Sequence, residues 1–157
     1  MKPVRIQGVL VSVEGVGILL RGPSGAGKSM TALNLLGRGH YLVADDLVEV
    51  VRGPDGKPTG RPVEEEVRIE VRGLGIYRAR SLFRDGTLPS SRIDFIVDLD
   101  EYDPARDAGR TAPEEYTAEL LGRHVRVVRV PVPLGTDPGL LVELLARLFR
   151  DSGTVAP

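Results

Sequence analysis

Eight consecutive residues of this chain have the types and spacing of a loop that binds phosphate. Residues 22–29 read Gly-Pro-Ser-Gly-Ala-Gly-Lys-Ser, which fits the pattern G-x-x-x-x-G-K-[ST]. They follow the apolar run Val16–Leu20, which predicts a buried strand. The glycines allow a tight turn in which successive backbone N–H groups face an anion. The predicted phosphate-binding residues are Gly22, Pro23, Ser24, Gly25, Ala26, Gly27, Lys28 and Ser29.

Two side chains at the end of this loop would carry its chemistry. Lys28 would place a positive charge on the β- and γ-phosphates of a nucleotide, and Ser29 would offer its hydroxyl to Mg²⁺. The alternative is a glycine-rich turn between a strand and a helix, with no ligand. The strand predicted before the loop and the helix predicted after it favour a bound nucleoside triphosphate.

Carboxylates at the end of a buried strand are a second requirement of phosphoryl transfer. Asp45 and Asp46 follow an apolar run, and Asp98 and Asp100 end another. Adjacent acids on an extended chain point to opposite sides, so one would hold the metal or its waters and the other could accept a proton. The other interpretation of Asp45 and Asp46 is a solvated pair that opens a turn. Spacing alone does not decide between the two acidic pairs.

Two further charged residues have simple structural interpretations. Glu70 shares a predicted strand face with Arg68 and Arg72, so an ion pair across that face is one interpretation. Arg110 lies in a charged loop, where a salt bridge within the loop would account for it.

The elements that must position these residues predict an α/β fold, with a mixed β-sheet core like that of phosphate-loop kinases, flanked by helices. Val4–Val13 is predicted as one strand, which turns at Glu14-Gly15 into its hairpin partner. Further strands are predicted at 40–44, 47–51, 67–71, 93–99 and 125–130, with residues 57–66 irregular. Helices are predicted at 30–36, 81–87, 113–121 and from residue 138 onward. With no repeat or linker, residues 1–157 are expected to form a single domain.

The last predicted helix has the clearest pattern. Asp137 is a favourable N-cap and Pro138 occupies the first helical position. One apolar stripe follows, for which we expect core packing, with an interface between subunits as the alternative. The stripe consists of Leu140, Leu141, Leu144, Leu145, Leu148 and Phe149.

Composition excludes several classes of protein. The 157 residues include no cysteine, which excludes a disulfide framework, a thiolate nucleophile and a zinc ribbon. The net charge of −1 and the scarcity of aromatic residues argue against nucleic acid as a partner. The longest apolar run, Val9–Leu20, is interrupted by polar residues and glycines, so we expect a cytoplasmic protein with no membrane partner.

Four segments of the chain together resemble the catalytic domain of bacterial HPr kinase/phosphorylase. They are Gly8–Gly17 ahead of the loop, Gly25–Ser29 within it, Arg38–Asp46 and Ile69–Ile76. The resemblance extends from about residue 4 to residue 150, and we expect no counterpart of the family's separate N-terminal domain.

This resemblance implies a kinase that transfers the γ-phosphoryl group of ATP to a serine of the small carrier protein HPr, together with a reverse reaction that uses inorganic phosphate. It implies that Lys28 grips the phosphates, that Ser29 and Glu70 serve Mg²⁺, and that Arg110 is catalytic. Asp46 would be the base that takes the serine proton, which leaves Asp45 to the metal. It also implies a homo-oligomer, a hexamer in that family.

Three departures from the family pattern bear on the reverse reaction and on the acceptor. Gln7 replaces a catalytic histidine and cannot exchange a proton near neutral pH. Met30 replaces a glutamate after the loop serine. The segment Pro131–Thr136 has Pro133 and Thr136 where the family has arginines. Without those cations, phosphorolysis is expected to be weak or absent.

Three interpretations of function remain at this point. The first is an ATP- and Mg²⁺-dependent serine kinase of HPr or an HPr-like carrier. The second is a phosphate-loop kinase of another protein or a small molecule, which Gln7 and the altered segment 133–136 favour. The third is a regulatory module that senses ATP without transferring phosphate, which Gln7 and Met30 favour and the retained Asp46 and Glu70 oppose.

Overall fold

The computed structural model describes residues 2–23 and 25–154 of the chain. The strands are β1 (Val4–Gln7), β2 (Val9–Val13), β3 (Val16–Arg21), β4 (Tyr41–Ala44), β5 (Leu47–Arg52), β6 (Pro58–Pro62), β7 (Arg68–Val71), β8 (Gly75–Arg78), β9 (Ser91–Arg92), β10 (Phe95–Glu101), β11 (Glu114–Leu120) and β12 (Arg123–Val132). The helices are α1 (Lys28–Gly37), α2 (Ala79–Leu82), α3 (Pro104–Asp107) and α4 (Pro138–Ser152). Within these ranges, no helix is both long and apolar enough to span a bilayer.

Six strands form the main sheet, in the order β11-β12-β10-β3-β2-β4. β3, β10 and β12 are parallel to one another, whereas β2, β4 and β11 each pair antiparallel with a neighbour. The predicted mixed sheet is therefore confirmed, with β2 and β3 as the expected hairpin. Because β3 and β10 are parallel, the residues that follow both strands lie at the same edge of the sheet.

Both faces of the main sheet are buried, which explains why its strands read as nearly continuous apolar runs. Along β3, Ile18 and Leu20 belong to one core cluster and Leu19 belongs to the other. Apolar residues of α1, α4 and β7 share the first cluster, and Val48 and Val50 of β5 share the second. The packing therefore fixes α1 against the sheet directly after the strand that leads into the phosphate loop.

Two smaller sheets flank the main one. Strands β1, β5, β6 and β9 form an antiparallel sheet in that spatial order, and β7 pairs with β8 as a hairpin. In the hairpin turn, the backbone N–H of Leu74 donates to the carbonyl of Val71 at 2.9 Å. Gly73 has a φ of +85°, a conformation that few residues other than glycine adopt readily.

The prediction of one strand over Val4–Val13 is wrong, because the chain passes from one sheet to another at Gly8. β1 pairs with β5, whereas β2 pairs with β3 and β4. A Cβ atom at Gly8 would lie 2.8 Å from the carbonyl oxygen of Leu20, so the crossing point has no room for a side chain. Alternation of apolar residues does not reveal such a change of sheet.

Two further predictions of secondary structure are wrong. The segment predicted as irregular, 57–66, contains β6, and the helix predicted over 113–121 is strand β11. Glutamate, alanine and leucine favour a helix there, but seven residues of β11 pair with β12 and override that preference. Leu121 and Gly122 have φ values of 48° and 76° and form the two-residue turn that joins the strands.

Helix α4 begins as predicted, with the Asp137 side chain accepting a hydrogen bond from the N–H of Gly139 at 2.8 Å and Pro138 in the first turn. Its apolar stripe, however, divides between core and surface. The residues packed against the core are Leu141, Leu145 and Phe149. The residues exposed to solvent are Leu140, Leu144 and Leu148. The expectation that the whole stripe packs in the core is therefore wrong.

Candidate active site

The phosphate loop connects the end of β3 to the start of α1 at the carboxyl edge of the parallel strands. A Cβ atom at Gly22 would lie 2.5 Å from the carbonyl oxygen of Leu99, so only glycine fits between the loop and β10. Gly27 caps α1 in the left-handed conformation, with a φ of +90°. The predicted binding residue Ser24 lies outside the described residues.

Lys28 is the first residue of α1, and its ammonium group lies over the loop. Its Nζ atom donates to the carbonyl oxygen of Gly22 at 2.6 Å and to that of Pro23 at 3.2 Å. A phosphate bound in the loop would compete with these two carbonyls for the ammonium group, as a charge-assisted hydrogen bond to phosphate is the stronger of the two.

A hydrogen bond joins the loop to the predicted acidic pair. The hydroxyl of Ser29 donates to Oδ1 of Asp45 at 3.0 Å. Burial raises the pKa of Asp45, and the hydrogen bond from Ser29 opposes that shift. The end of β4 thus places a carboxylate against the residue that is expected to serve Mg²⁺.

Asp46 has a left-handed backbone, with a φ of +70°, and its carbonyl accepts a hydrogen bond from the N–H of Gly8 at 3.0 Å. The chain therefore is not extended here, and Asp45 and Asp46 line the same cavity. The expectation that the two side chains point to opposite sides rested on an extended chain and is wrong. A non-glycine residue in this conformation is strained, and such strain concentrates at functional sites.

The cavity beside the loop has a volume of about 450 Å³ and contains the β7 carboxylate as well. Glu70 lines it together with Asp45, and the charge of Glu70 contributes to the raised pKa of Asp45. Arg68 and Arg72 line the same cavity, but neither makes an ion pair with Glu70 in the part of the chain that the structure describes. The structural interpretation of Glu70, an ion pair across the strand face, is not found.

The donors around the cavity fit Mg²⁺. No three His, Cys, Asp or Glu side chains among the described residues are arranged to hold a metal ion by themselves. Mg²⁺ in nucleotide sites usually takes one or two carboxylates and completes its shell with waters and phosphate oxygens. The Ser29 hydroxyl, Asp45 and Glu70 offer the hard oxygen donors that such a shared site requires.

The competing acidic pair is already occupied by arginines. Arg21 donates to both carboxylate oxygens of Asp98, at 2.8 Å and 3.0 Å, and the hydroxyl of Tyr116 also donates to Asp98. Nε of Arg129 donates to Asp100 at 2.8 Å, and this hydrogen bond lowers the pKa of Asp100. The pair at the end of β4, rather than the pair in β10, therefore faces the phosphate loop.

Arg110 does not reach this cavity within one chain. It lines a different cavity of about 510 Å³, between the 102–114 segment, β12 and α4. Its guanidinium lies 3.8 Å from a carboxylate oxygen of Glu114. Its catalytic role therefore stays a prediction that no contact in this chain supports.

Comparison of the sequence with known protein families identifies the family in which this arrangement of residues occurs. The family model for the HPr Serine kinase C-terminal domain matches residues 1–155. The chain belongs to this family. The HPr kinase/phosphorylase of Geobacillus sp. (strain WCH70) is 41% identical over 147 residues, which cover 92% of this chain and 47% of that protein. The protein of the same name from Bacillus subtilis (strain 168) is 38% identical, with the same two shares, 92% and 47%.

These comparisons confirm the family expected from the four sequence segments. The chain spans about half the length of the curated relatives it matches. A solved structure, that of the Hpr(Ser) kinase/phosphatase from Coxiella burnetii, matches with a TM-score of 0.84 and 24% identity. The match covers 96% of this chain and 92% of that one, and at this identity it shows the shared fold.

The departures from the family pattern lie in three different places. Gln7 ends β1 and is exposed, next to the Gly8 N–H that binds the carbonyl of Asp46. Met30 lines the phosphate-loop cavity. Pro133 and Thr136 line the cavity of Arg110 instead. Among the described residues, Pro133 and Thr136 of the altered segment therefore line a different cavity from the one beside the phosphate loop.

Sequence reasoning did not identify Val9, Arg68, Arg72 or Ile76 as residues that line the phosphate-loop cavity. Arg68 and Arg72 were expected only as partners of Glu70, and Ile76 was given no role beyond the segment that carries the resemblance. The available signal was the period of two along β7, which places Arg68, Glu70 and Arg72 on one face. Ile76 is the cross-strand neighbour of Glu70 and shares that face.

Proposed function

We propose that this protein is an ATP- and Mg²⁺-dependent kinase that phosphorylates a serine of HPr or an HPr-like carrier protein. The observation that carries the proposal is the hydrogen bond from Ser29 to Asp45, which joins the phosphate loop to the acidic end of β4. Asp46 and Glu70 line the same cavity, so the groups that phosphoryl transfer needs share one site.

The residues divide the work of transfer among themselves. The serine oxygen of the acceptor attacks the γ-phosphorus, and the bond from that phosphorus to the β–γ bridging oxygen breaks, which leaves ADP and phosphoserine. Asp46 takes the proton that the serine hydroxyl loses. The loop N–H groups and Lys28 hold the phosphates in place, with Lys28 drawn from the carbonyls of Gly22 and Pro23.

Mg²⁺ would be held by Ser29, Asp45 and Glu70 together with the phosphate oxygens. When bound, it neutralises charge on the phosphates during transfer. The raised pKa of Asp45 reflects its burial, and a cation in this position would favour the ionised carboxylate.

We propose that the reverse reaction, phosphorolysis, is weak or absent. It requires a bound inorganic phosphate, for which cations are the usual partners. Gln7 offers no charge beside Asp46, and Pro133 and Thr136 bring none from their segment. The forward reaction needs mainly the loop, the oxygen donors and Asp46, all of which are retained.

A kinase with a different acceptor is the second candidate. It is favoured by Gln7 and by the segment 133–136, because such loops commonly determine the choice of substrate. A regulatory module that binds ATP without transfer is the third, and the retained Asp46 and Glu70 argue against it.

We also propose that the protein acts in the cytoplasm as a homo-oligomer, for which the resemblance implies a hexamer. The exposed face of α4 supports assembly, because Leu140, Leu144 and Leu148 lie on one helix face and each is nearly half exposed.

The test is the intact mass of purified HPr after incubation with this protein, ATP and Mg²⁺, with Asp46→Asn as the control. The proposal expects one added phosphoryl group, absent with the control, and no loss of that group when inorganic phosphate is added. No added mass, with ATP still raising the melting temperature, would reject HPr as the acceptor and leave the other two candidates.

A further inference from the structure

The β7–β8 hairpin is anchored on one face and open on the other. Ile69 is fully buried in the core cluster that includes α1, which fixes the hairpin beside the phosphate loop. Because side chains alternate along a strand, Arg68 and Glu70 are on the opposite face, and both line the phosphate-loop cavity together with Arg72 of the turn. The hairpin therefore extends the catalytic cavity with a surface of its own.

Two cations on this surface lack a partner. Neither Arg68 nor Arg72 makes an ion pair with any residue of the described ranges 2–23 and 25–154. Arg68 also lies directly opposite Arg78 in the hairpin register, but the guanidinium of Arg78 lies 3.3 Å from a carboxylate oxygen of Glu66. Among the described residues of the hairpin, Arg68 and Arg72 are therefore the cations that remain open to an anion from outside the chain.

The spacing of these cations suits a peptide better than a nucleotide. Arg72 follows Arg68 by four positions and lies just past the end of β7, so their Cα atoms are at most about 13 Å apart. That is about the length of four extended residues. The phosphates of a bound nucleotide would have Lys28 and the loop N–H groups as partners.

The tip of the hairpin adds an apolar element. Leu74 is 72% exposed and Ile76 is 70% exposed. The tip is nevertheless held in one conformation, because the hydroxyl of Tyr77 donates to the carbonyl of Leu74 at 3.0 Å. Large exposed apolar side chains on an ordered element beside a catalytic cavity are typical of a protein interface.

We propose that the open face of the hairpin, formed by Arg68, Arg72, Leu74 and Ile76, is the docking surface for the acceptor protein. Its chemistry selects a segment that carries carboxylates, which pair with the two arginines, and an apolar side chain, which packs on the tip, close to the serine hydroxyl. This proposal rests on the proposed kinase function and specifies how that site chooses its acceptor.

The test measures the steady-state kinetics of HPr phosphorylation for the wild type, for Arg68→Glu and for the double variant Leu74→Ser/Ile76→Ser. Calorimetric titration with ATP and Mg²⁺ measures the ATP affinity of each protein. Arg68 is exposed, and Arg68→Glu places a carboxylate opposite Arg78, so the fold is expected to persist. Arg123→Glu is the matched charge control, since it begins β12 at the opposite end of the sheet. Val4→Ser is the control for loss of an exposed apolar side chain.

Docking predicts that both hairpin variants raise the KM for HPr roughly tenfold, by a larger factor than any loss of ATP affinity, while both controls match the wild type. The wild-type KM should rise with salt, and that of Arg68→Glu should not. If the hairpin variants leave the KM for HPr unchanged, or lose ATP affinity by the same factor as that KM rises, the docking proposal is overturned. The proposed kinase function would stand in either case. Absence of transfer by the wild type overturns the kinase function, and the docking proposal falls with it.

Discussion

At the scale of single residues, Asp46 combines the chemical role proposed for it with a strained backbone. Its left-handed conformation, with a φ of +70°, costs an L-residue about 1 kcal/mol. The hydrogen bond from Gly8 to its carbonyl holds it there, where the chain passes from β4 of the main sheet to β5 of the smaller one. The fold thus maintains a strained backbone so that the carboxylate lies in the cavity beside Asp45.

Because of this strain, we expect substitutions of Asp46 to differ in their effect on stability although all of them abolish activity. Asp46→Gly should have a free energy of unfolding about 1 kcal/mol above that of Asp46→Ala, because glycine adopts positive φ without a Cβ penalty. Both variants should lose transfer to the acceptor, since neither has a carboxylate to accept the proton. Urea unfolding at pH 7 and the mass assay on HPr measure the two quantities.

Asp46→Asn provides the control, because asparagine tolerates the left-handed conformation and should lose activity without a large change in stability. Equal stability of the glycine and alanine variants would show that the backbone at this position is not strained.

At the scale of elements, a buried carboxylate joins α4 to the end of α1. Glu143 accepts two hydrogen bonds from Arg38, at 2.7 Å and 3.0 Å, and lies 2.7 Å from Nε2 of His40. Arg147 lies 3.0 Å from its other oxygen. These contacts hold the C-terminal end of the helix whose N-terminal end carries Lys28 and Ser29.

Glu143→Gln should therefore lower the melting temperature by several degrees, because it removes the charge that Arg38, His40 and Arg147 share. Differential scanning calorimetry measures the change. Glu119→Gln is the matched control, since Glu119 is exposed and makes no ion pair within the described chain. A fall of equal size in both variants would contradict a specific role for Glu143 in joining the helices.

The elements also show where sequence reasoning succeeds and where it stops. The strand and helix on either side of the phosphate loop and the N-cap of α4 follow from local patterns, and these elements are found as predicted. Strand β11 depends on pairing with β12, so its helix-forming residues misled the prediction. The choice between the acidic pairs depended on the contacts of Arg21 with Asp98 and of Arg129 with Asp100. Each of these ion pairs joins two different strands, so the spacing of residues along the sequence does not reveal it.

At the scale of the whole molecule, two networks of ion pairs hold opposite layers of the fold. Glu143 joins the helices on one face of the main sheet. Arg129 of β12 joins α3 and β10, since it donates to Asp107 at 2.7 Å and to Asp100 at 2.8 Å. The hydrogen bond from Arg129 lowers the pKa of Asp107 to about 2, and the hydrogen bonds from Arg38 and then His40 lower the pKa of Glu143 to about 2.

These lowered pKa values predict that the fold weakens in acid. In the unfolded chain, the pKa values of the two carboxyl groups would be near their ordinary values, 3.8 for Asp107 and 4.5 for Glu143. As the pH falls through these values, the unfolded chain therefore binds more protons than the folded chain. The stabilisation from both carboxylates is therefore fully present above about pH 5 and is lost as the pH falls toward about 2. Thermal unfolding followed by circular dichroism from pH 7 to pH 2.5 should show a melting temperature that falls steadily below pH 5.

Asp107→Asn tests whether the Arg129 network contributes to this dependence. The variant should melt at a lower temperature than the wild type at pH 7, because asparagine leaves the buried Arg129 without its closest charged partner. It should also lose less stability between pH 5 and pH 2.5, since one of the carboxylates that must be protonated is gone. A variant that kept the full acid dependence of the wild type would show that Asp107 is not among the groups that set it.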